Sequence, residues 1–80
     1  MYYVYLLESQ ADSRRHYVGY TQNLKARIAC HNAGMNPSTI SGRPWVIAGY
    51  TALTEERKAL AFEKYLKSGS RKTFAKRHFL

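Results

Sequence analysis

The sequence predicts an α+β domain in which a small three-stranded antiparallel sheet is flanked by helices, in the order β-β-α-β-α-α. Three short segments are rich in aromatic and aliphatic residues, as strands are. Longer segments between them carry apolar residues three or four positions apart, the spacing of an amphipathic helix. Eighty residues allow one domain, because so short a chain buries too little surface for a second core.

The strands are predicted from runs of apolar side chains. Residues 2–8 are apolar at nearly every position, which predicts a strand buried on both faces. Residues 16–20 form the second strand after a short polar connection, and Gly19 gives it a point where the backbone can bend or lie close to a ligand. Residues 44–51 form the third strand, with Trp45 expected in the core.

The first helix is predicted over residues 22–32, with Thr21 as its N-cap. Leu24 and Ile28 lie four positions apart and form the apolar stripe of this helix. Gly34 is expected to end it, because glycine accepts the left-handed conformation that often follows a helix.

A polar loop with turn signals is predicted at residues 35–43. The second helix is predicted over residues 55–67, with Thr54 as its N-cap. Ser70 is expected to cap a short basic helix over residues 71–78. These segments complete the layer of helices around the sheet.

The chain contains 13 Lys and Arg against 5 Asp and Glu, which gives a formal net charge of +8. Such a field attracts polyanions, so nucleic acid is the expected partner and an anionic membrane surface is the second choice. The basic residues concentrate between positions 57 and 77. This uneven distribution argues against a charge that serves solubility alone.

Cys30 is the single cysteine and cannot form an internal disulfide, which is typical of a reducing compartment. No apolar run is long enough to span a membrane, and the N-terminus lacks the pattern of a signal peptide. The sequence therefore predicts a cytoplasmic protein without a membrane segment.

Arg27 and His31 lie four positions apart in the first predicted helix and share one face. A guanidinium binds phosphate oxygens, and a histidine exchanges protons near neutral pH. The pair suits a phosphoryl group on which negative charge develops. The alternative is a solvent-facing arginine beside a histidine favoured by the helix dipole, and the pair alone favours that alternative.

Tyr5 and Tyr17 lie on paired strands and can share one sheet face as cross-strand neighbours. A phenol with its usual pKa of about 10 is a weak base. Arg27 and a divalent metal would favour the phenolate, which accepts a proton from water. The alternative is a pair of ordinary sheet aromatics, and neither tyrosine is informative when taken singly.

Glu63 is one of few acids in the chain, and core-type residues flank it in the second predicted helix. Such a carboxylate could hold Mg²⁺, which takes one or two protein carboxylates and keeps several waters. The alternative is a surface ion pair with Lys67 at the i, i+4 spacing. The residues leave both open, and the lack of a second well-placed acid argues against a two-metal mechanism.

Together these residues resemble the motifs of the GIY-YIG nuclease superfamily over essentially the whole chain. The matching segments are Tyr3-Val4-Tyr5, Tyr17-Val18-Gly19-Tyr20-Thr21, Leu24, Arg27, His31-Asn32, Gly34, Arg43-Pro44-Trp45 and the run from Ala61 to Gly69. The chain looks most similar to the small single-domain bacterial members of that superfamily.

The resemblance implies the family's three-stranded fold and a metal-dependent DNA endonuclease of repair or processing, with Mg²⁺ or Mn²⁺ as cofactor. The family's site uses tyrosines matching Tyr5 and Tyr17, a helix arginine matching Arg27 and a metal-binding glutamate matching Glu63. A histidine stands at the position of His31 in some members, with a role in proton transfer or phosphate contact. Of the two possible proton acceptors, Tyr17 is preferred over His31.

The chain departs from the family pattern at its first motif, where Tyr3 replaces the glycine. The resemblance gives Gly19 the task of letting the chain turn beside the site. A DNA-recognition domain of the kind found in larger relatives is missing, so a protein partner is the expected source of specificity.

Contacts to the nucleic-acid backbone, without base reading, are expected from Arg43, Lys64, Lys67, Arg71 and Lys72. DNA is the expected nucleic acid and RNA the alternative. Two other functions stay open on the same fold: a non-catalytic nucleic-acid-binding module, and an interaction subunit of a repair complex.

Overall fold

The computed structural model describes residues 1–68, so the predicted helix at 71–78 and its Ser70 cap lie outside the described part. The elements are β1 (Tyr2–Ser9), β2 (His16–Thr21), α1 (Leu24–Asn32), a 3₁₀ helix (Ile40–Gly42), β3 (Trp45–Leu53) and α2 (Glu56–Leu66). The predicted α+β class and three-stranded antiparallel sheet are confirmed. Neither α1 nor α2 has the length and apolar character needed to cross a membrane.

β1 is the central strand, and β2 and β3 pair with it on either side in antiparallel orientation. The run from Val4 to Leu7 is buried throughout, as predicted for a strand covered on both faces. Because side chains alternate along a strand, odd and even residues of β1 belong to different faces of the sheet.

One helix covers each face of the sheet. α1 contacts Tyr5 and Leu7 through Leu24 and Ile28, which are the predicted apolar stripe. α2 packs on the opposite face, where its Leu66 is completely buried. Burial of one such aliphatic side chain stabilises the fold by roughly 1.5–3 kcal/mol, so the two cores hold both helices firmly on the sheet.

The N-cap of α1 is Asn23, and the prediction of Thr21 is wrong. Asn23 Oδ1 accepts a hydrogen bond from the Ala26 backbone N–H at 3.1 Å. Thr21 still belongs to β2, and its Oγ1 accepts from the Asn23 N–H at 3.1 Å, which shapes the turn before the helix. After the helix, Gly34 adopts a φ of 78°, as predicted.

The N-cap prediction for α2 is also wrong. Glu55 occupies the N-cap position in place of Thr54, and no side chain caps the helix there. The extended backbone of Glu55, with φ of −117° and ψ of 128°, carries the chain one residue further before the helix begins. Glu55 instead pairs with Lys58 at 2.9 Å.

The predicted polar loop at 35–43 contains the 3₁₀ helix and is fastened to the sheet. Ser9 Oγ donates a hydrogen bond to the Gly42 carbonyl oxygen at 2.6 Å. Trp45 Nε1 donates to the Thr39 carbonyl oxygen at 2.7 Å, and the core position of Trp45 is confirmed. These bonds hold Thr39 in a buried position next to the end of α1.

Candidate active site

Tyr5 and Tyr17 lie on the same face of the sheet, the face that α1 covers. Tyr5 pairs with Gly19 and Leu7 pairs with Tyr17, so the two tyrosines are diagonal neighbours and not directly opposite each other. Tyr5 is buried, whereas Tyr17 is half-buried. Tyr17 is therefore the more accessible of the two phenols.

Gly19 makes room for the Tyr5 ring. A Cβ atom on Gly19 would lie 2.2 Å from Tyr5 Oη and 2.3 Å from its Cζ. Gly19 lies within β2 and has no positive φ, so the expected bend or turn at this residue is wrong. The residue must be small because the phenol lies directly against the strand backbone.

His31 connects Tyr5 to the loop that follows α1. Tyr5 Oη and His31 Nε2 are 2.9 Å apart, and His31 Nδ1 and Thr39 Oγ1 are 2.8 Å apart. The Thr39 hydroxyl donates its proton to the Asn36 carbonyl oxygen at 3.3 Å. It therefore accepts from the His31 Nδ1–H group, which leaves Nε2 to accept the hydrogen of the Tyr5 hydroxyl.

Tyr5 and His31 form a neutral pair inside the protein. His31 has none of its surface exposed. Burial lowers the pKa of His31 below its ordinary value, and the charge of Arg27 lowers it further. Burial raises the pKa of the Tyr5 phenol, and Tyr17 and Glu63 add to that rise. The charge of Arg27 acts on the pKa of Tyr5 in the opposite direction.

Arg27 lies on α1, one turn before His31, and is exposed. Among residues 1–68, its guanidinium has no hydrogen-bonded or ion-paired partner. It nevertheless acts electrostatically on the pKa values of both Tyr5 and His31. A guanidinium in this position can bind a phosphate that approaches the tyrosines.

Glu63 lies on α2 and pairs with Lys67, whose Nζ is 3.3 Å from Glu63 Oε2. This is the ion pair that the sequence left open. Lys67 connects this carboxylate to the tyrosines, because Lys67 Nζ also lies 5.7 Å from the Tyr17 ring centroid, and the charge of Glu63 adds to the rise in the pKa of Tyr5. β2 is an outer strand, so side chains from α2 can reach round it.

The residues at this site fit a hydrated divalent cation and do not form a complete protein cage. No group of three or more His, Cys, Asp or Glu side chains within residues 1–68 could hold a metal. Both ring nitrogens of His31 are already hydrogen-bonded. Glu63 has 21% of its side chain exposed, which suits Mg²⁺ or Mn²⁺ bound by one carboxylate, by water and by substrate phosphate.

The predicted nucleic-acid-binding residues lie in different parts of the structure. Lys67 lies against the Tyr17 ring and pairs with Glu63. Arg43 donates a hydrogen bond to a carbonyl oxygen of the 3₁₀ helix at 3.0 Å, and Lys64 is exposed on α2. Arg71 and Lys72 lie outside the described residues.

Two features of this site were missed from the sequence. Thr39 supports His31, yet its only signal was a small polar residue in a loop of polar residues. Lys67 was expected on the nucleic-acid backbone, and its position against Tyr17 depends on how α2 crosses the sheet. Neither contact has a local sequence pattern that could have revealed it.

Comparison with known proteins gives the relatives of this chain. The family model of the GIY-YIG catalytic domain matches residues 1–77. A UPF0213 protein of Staphylococcus haemolyticus is 37% identical over 71 residues, which cover 88% of this chain and 84% of the relative. A UPF0213 protein of Clostridium perfringens is 35% identical over 72 residues, which cover 89% of this chain and 75% of the relative. No solved structure matches the chain significantly.

Proposed function

The chain belongs to the GIY-YIG family, a nuclease-type family, and from that premise we propose that it is a divalent-metal-dependent endonuclease that hydrolyses DNA phosphodiester bonds. The observation that carries the proposal is a continuous series of contacts between residues of both sheet faces. It runs from Tyr5 to His31, from His31 to Tyr17, from Tyr17 to Lys67 and from Lys67 to Glu63.

In the proposed reaction, water attacks the phosphorus in line with the leaving 3′ oxygen. We assign proton acceptance to the Tyr17 oxygen, because Tyr17 is the more accessible tyrosine and the Lys67 ammonium adjoins its ring. With His31 Nδ1–H donating to Thr39, Tyr5 donates its own hydrogen to His31 Nε2. Its oxygen lone pairs are then available to accept a hydrogen bond from the water and to orient it.

Arg27 and Glu63 complete the proposed mechanism. Arg27 binds the scissile phosphate and stabilises the negative charge that grows on it in the transition state. Glu63 would hold Mg²⁺ or Mn²⁺, which when bound supplies a Lewis acid beside the leaving oxygen. The partly exposed position of its side chain on α2 supports this assignment.

In this proposal His31 is a positioning residue and does not serve as the alternative proton acceptor. It is fully buried, and its two nitrogens bind Tyr5 and Thr39. A water molecule would have to displace Tyr5 to reach Nε2. The assignment of the proton to Tyr17 follows from that obstruction.

The net charge of +8 supports a polyanionic substrate. We propose that DNA is bound through its backbone, by Arg43, Lys64 and Lys67 among the described residues, with RNA as the alternative substrate. A role in DNA repair or processing in the cytoplasm, with a protein partner that supplies specificity, extends the same proposal.

Nicking of supercoiled plasmid and of branched duplex DNA, with Mg²⁺ or Mn²⁺, tests the proposed activity. Glu63→Gln should lower the cleavage rate by roughly 100- to 1,000-fold, the size of effect typical when one electrostatic stabiliser is removed. Glu55→Gln is the matched control, because Glu55 is an exposed acid at the other end of α2. Equal rates for Glu63→Gln and the wild type, or cleavage that survives a chelator, would refute the metal assignment.

A non-catalytic nucleic-acid-binding module is the second candidate function. The ion pair between Glu63 and Lys67 favours it, because a carboxylate that already has an ammonium partner needs no metal. This candidate predicts no cleavage of any DNA or RNA tested and strongly salt-dependent binding. It also predicts that Glu63→Ala leaves the binding constant unchanged.

A further inference from the structure

Lys67 lies between two residues of the candidate site, Glu63 on α2 and Tyr17 on β2. Its Nζ lies 3.3 Å from Glu63 Oε2 and 5.7 Å from the centroid of the Tyr17 ring. The base of its side chain is fixed, because the Lys67 backbone N–H donates to the Glu63 carbonyl oxygen at 3.0 Å. The ammonium group therefore stays within reach of the carboxylate one turn earlier on α2.

We propose that Lys67 is the resident counter-cation of Glu63, which holds the carboxylate in the free protein and competes with a divalent metal ion for it. The inference rests on the proposed function, since it concerns the same carboxylate. Under this inference, Lys67 is no longer a flanking contact to the nucleic-acid backbone. It determines how tightly the site binds the metal ion.

Simple electrostatics supports the competition. A divalent ion on Glu63 would lie within a few ångströms of the ammonium, and the two positive charges repel each other. The pair is partly shielded from water, with 21% of the Glu63 side chain and 45% of the Lys67 side chain exposed. Because the ion pair is partly buried, solvent screens the repulsion between the ammonium and the metal ion only in part.

The Tyr17 ring offers the displaced Lys67 ammonium a second binding position. A lysine ammonium within about 6 Å of an aromatic ring centroid is attracted by the electron-rich face of the ring. Lys67 already meets that distance at Tyr17. The side chain can therefore release Glu63 without leaving the site, and there it can meet an incoming phosphate.

Lys64 provides the matched control. It is an exposed lysine on the same helix and directly follows Glu63 in the sequence. Residues next to each other on a helix do not face each other, unlike residues four positions apart. Removal of its charge changes the net charge of the protein equally but leaves the Glu63 ion pair intact.

Binding of Mn²⁺ alone to the full chain, measured by electron paramagnetic resonance of free Mn²⁺ and by titration calorimetry, tests the inference without any cleavage assay. Lys67→Met should tighten the Mn²⁺ dissociation constant roughly 3- to 10-fold, the range expected from loss of a partly exposed ion pair. Lys67→Arg, which keeps the charge, and Lys64→Met should both stay within about twofold of the wild type. Thermal unfolding of each variant checks that the fold is retained.

Unchanged or weaker Mn²⁺ binding by a folded Lys67→Met variant would overturn the competition, as would equal tightening by Lys64→Met. Glu63→Gln separates this result from the proposed function. If Glu63→Gln binds Mn²⁺ as the wild type does, then the metal does not use Glu63, and both the metal assignment and the inference fall. If Glu63→Gln loses Mn²⁺ while Lys67→Met leaves the affinity unchanged, only the inference falls.

Discussion

The Tyr5 hydroxyl is tightly constrained on several sides in the candidate site. It lies against the Gly19 backbone, it is hydrogen-bonded to His31, and its ring is buried under α1. A hydroxyl held in this way cannot reorient without breaking packing or leaving a buried nitrogen unpaired. Substitutions on either side of it should therefore affect both stability and chemistry.

Gly19→Ala tests the close approach of Tyr5 to β2. The added methyl group would lie 2.2 Å from Tyr5 Oη, so the buried ring must move. We expect the free energy of unfolding to fall by about 1–3 kcal/mol, as in other overpacked cores. DNA nicking should fall at least about tenfold, because an ångström-scale displacement of a site residue is costly. Urea unfolding and the plasmid assay measure the two effects, and wild-type values for both would contradict the close contact.

His31 should make the protein sensitive to mild acid. Its pKa is lowered in the folded protein from an ordinary value of 6.5. Below that pH the unfolded chain takes up a proton before the folded protein does, so the free energy of unfolding falls as the pH decreases. The loss is at most about 1.4 kcal/mol per pH unit for one group.

Urea unfolding of His31→Gln at about pH 7.5, 6.5 and 5.5 tests this dependence. The variant should be less stable at the highest pH, because Tyr5 and Thr39 lose their partner. Its further loss between pH 6.5 and 5.5 should be smaller than in the wild type. Gln22→Ala is the control and should retain the wild-type loss, since Gln22 is exposed and carries no titratable group. Parallel pH curves for wild type and His31→Gln would contradict the assignment.

At the scale of elements, the three strands, α1 and α2 were predictable from periodicity and composition, whereas the 3₁₀ helix was not. Each strand lies within two residues of its predicted bounds, because the apolar runs are unbroken. The helix starts were less predictable. Thr21 and Thr54 have the right chemistry for an N-cap, but the sheet keeps Thr21 and an extended Glu55 delays α2. Tertiary structure decided both boundaries.

Asn23→Ala tests the cap that the structure shows. Loss of the hydrogen bond to the Ala26 N–H should lower the free energy of unfolding by about 0.5–2 kcal/mol. Gln22→Ala, at the exposed residue before the cap, should change it by less than about 0.5 kcal/mol. Chemical denaturation measures both. A larger effect at Gln22 than at Asn23 would mean that α1 is capped differently.

At the scale of the whole molecule, the sequence suggests which residues form the candidate site but does not reveal the contacts between them. The pattern of tyrosines, Arg27 and Glu63 predicts a phosphate site. The offset between Tyr5 and Tyr17 depends on strand register, and the position of Lys67 depends on the path of α2. Contacts between residues that are far apart in the chain do not produce a periodic pattern in its sequence.

The net charge of +8 predicts strongly salt-dependent DNA binding. We expect the logarithm of the binding constant to fall linearly with the logarithm of salt concentration, with a slope close to the number of phosphates contacted. Fluorescence anisotropy with Glu63→Gln measures it without cleavage. Lys64→Gln in the same background should reduce the slope by about one unit. A slope that is flat, or that Lys64→Gln leaves unchanged, would argue against these backbone contacts.

The order β2-β1-β3 places Tyr5 on the central strand and Tyr17 on one outer strand, and it leaves β3 on the opposite side of the sheet. Val46 and Ile47 on β3 are 39% and 37% exposed, and an outer strand offers main-chain groups for pairing with a further strand. Among the described residues β3, like β2, has one edge that no strand pairs with, and a chain that added to the β3 edge would leave the Tyr17 side of the sheet uncovered.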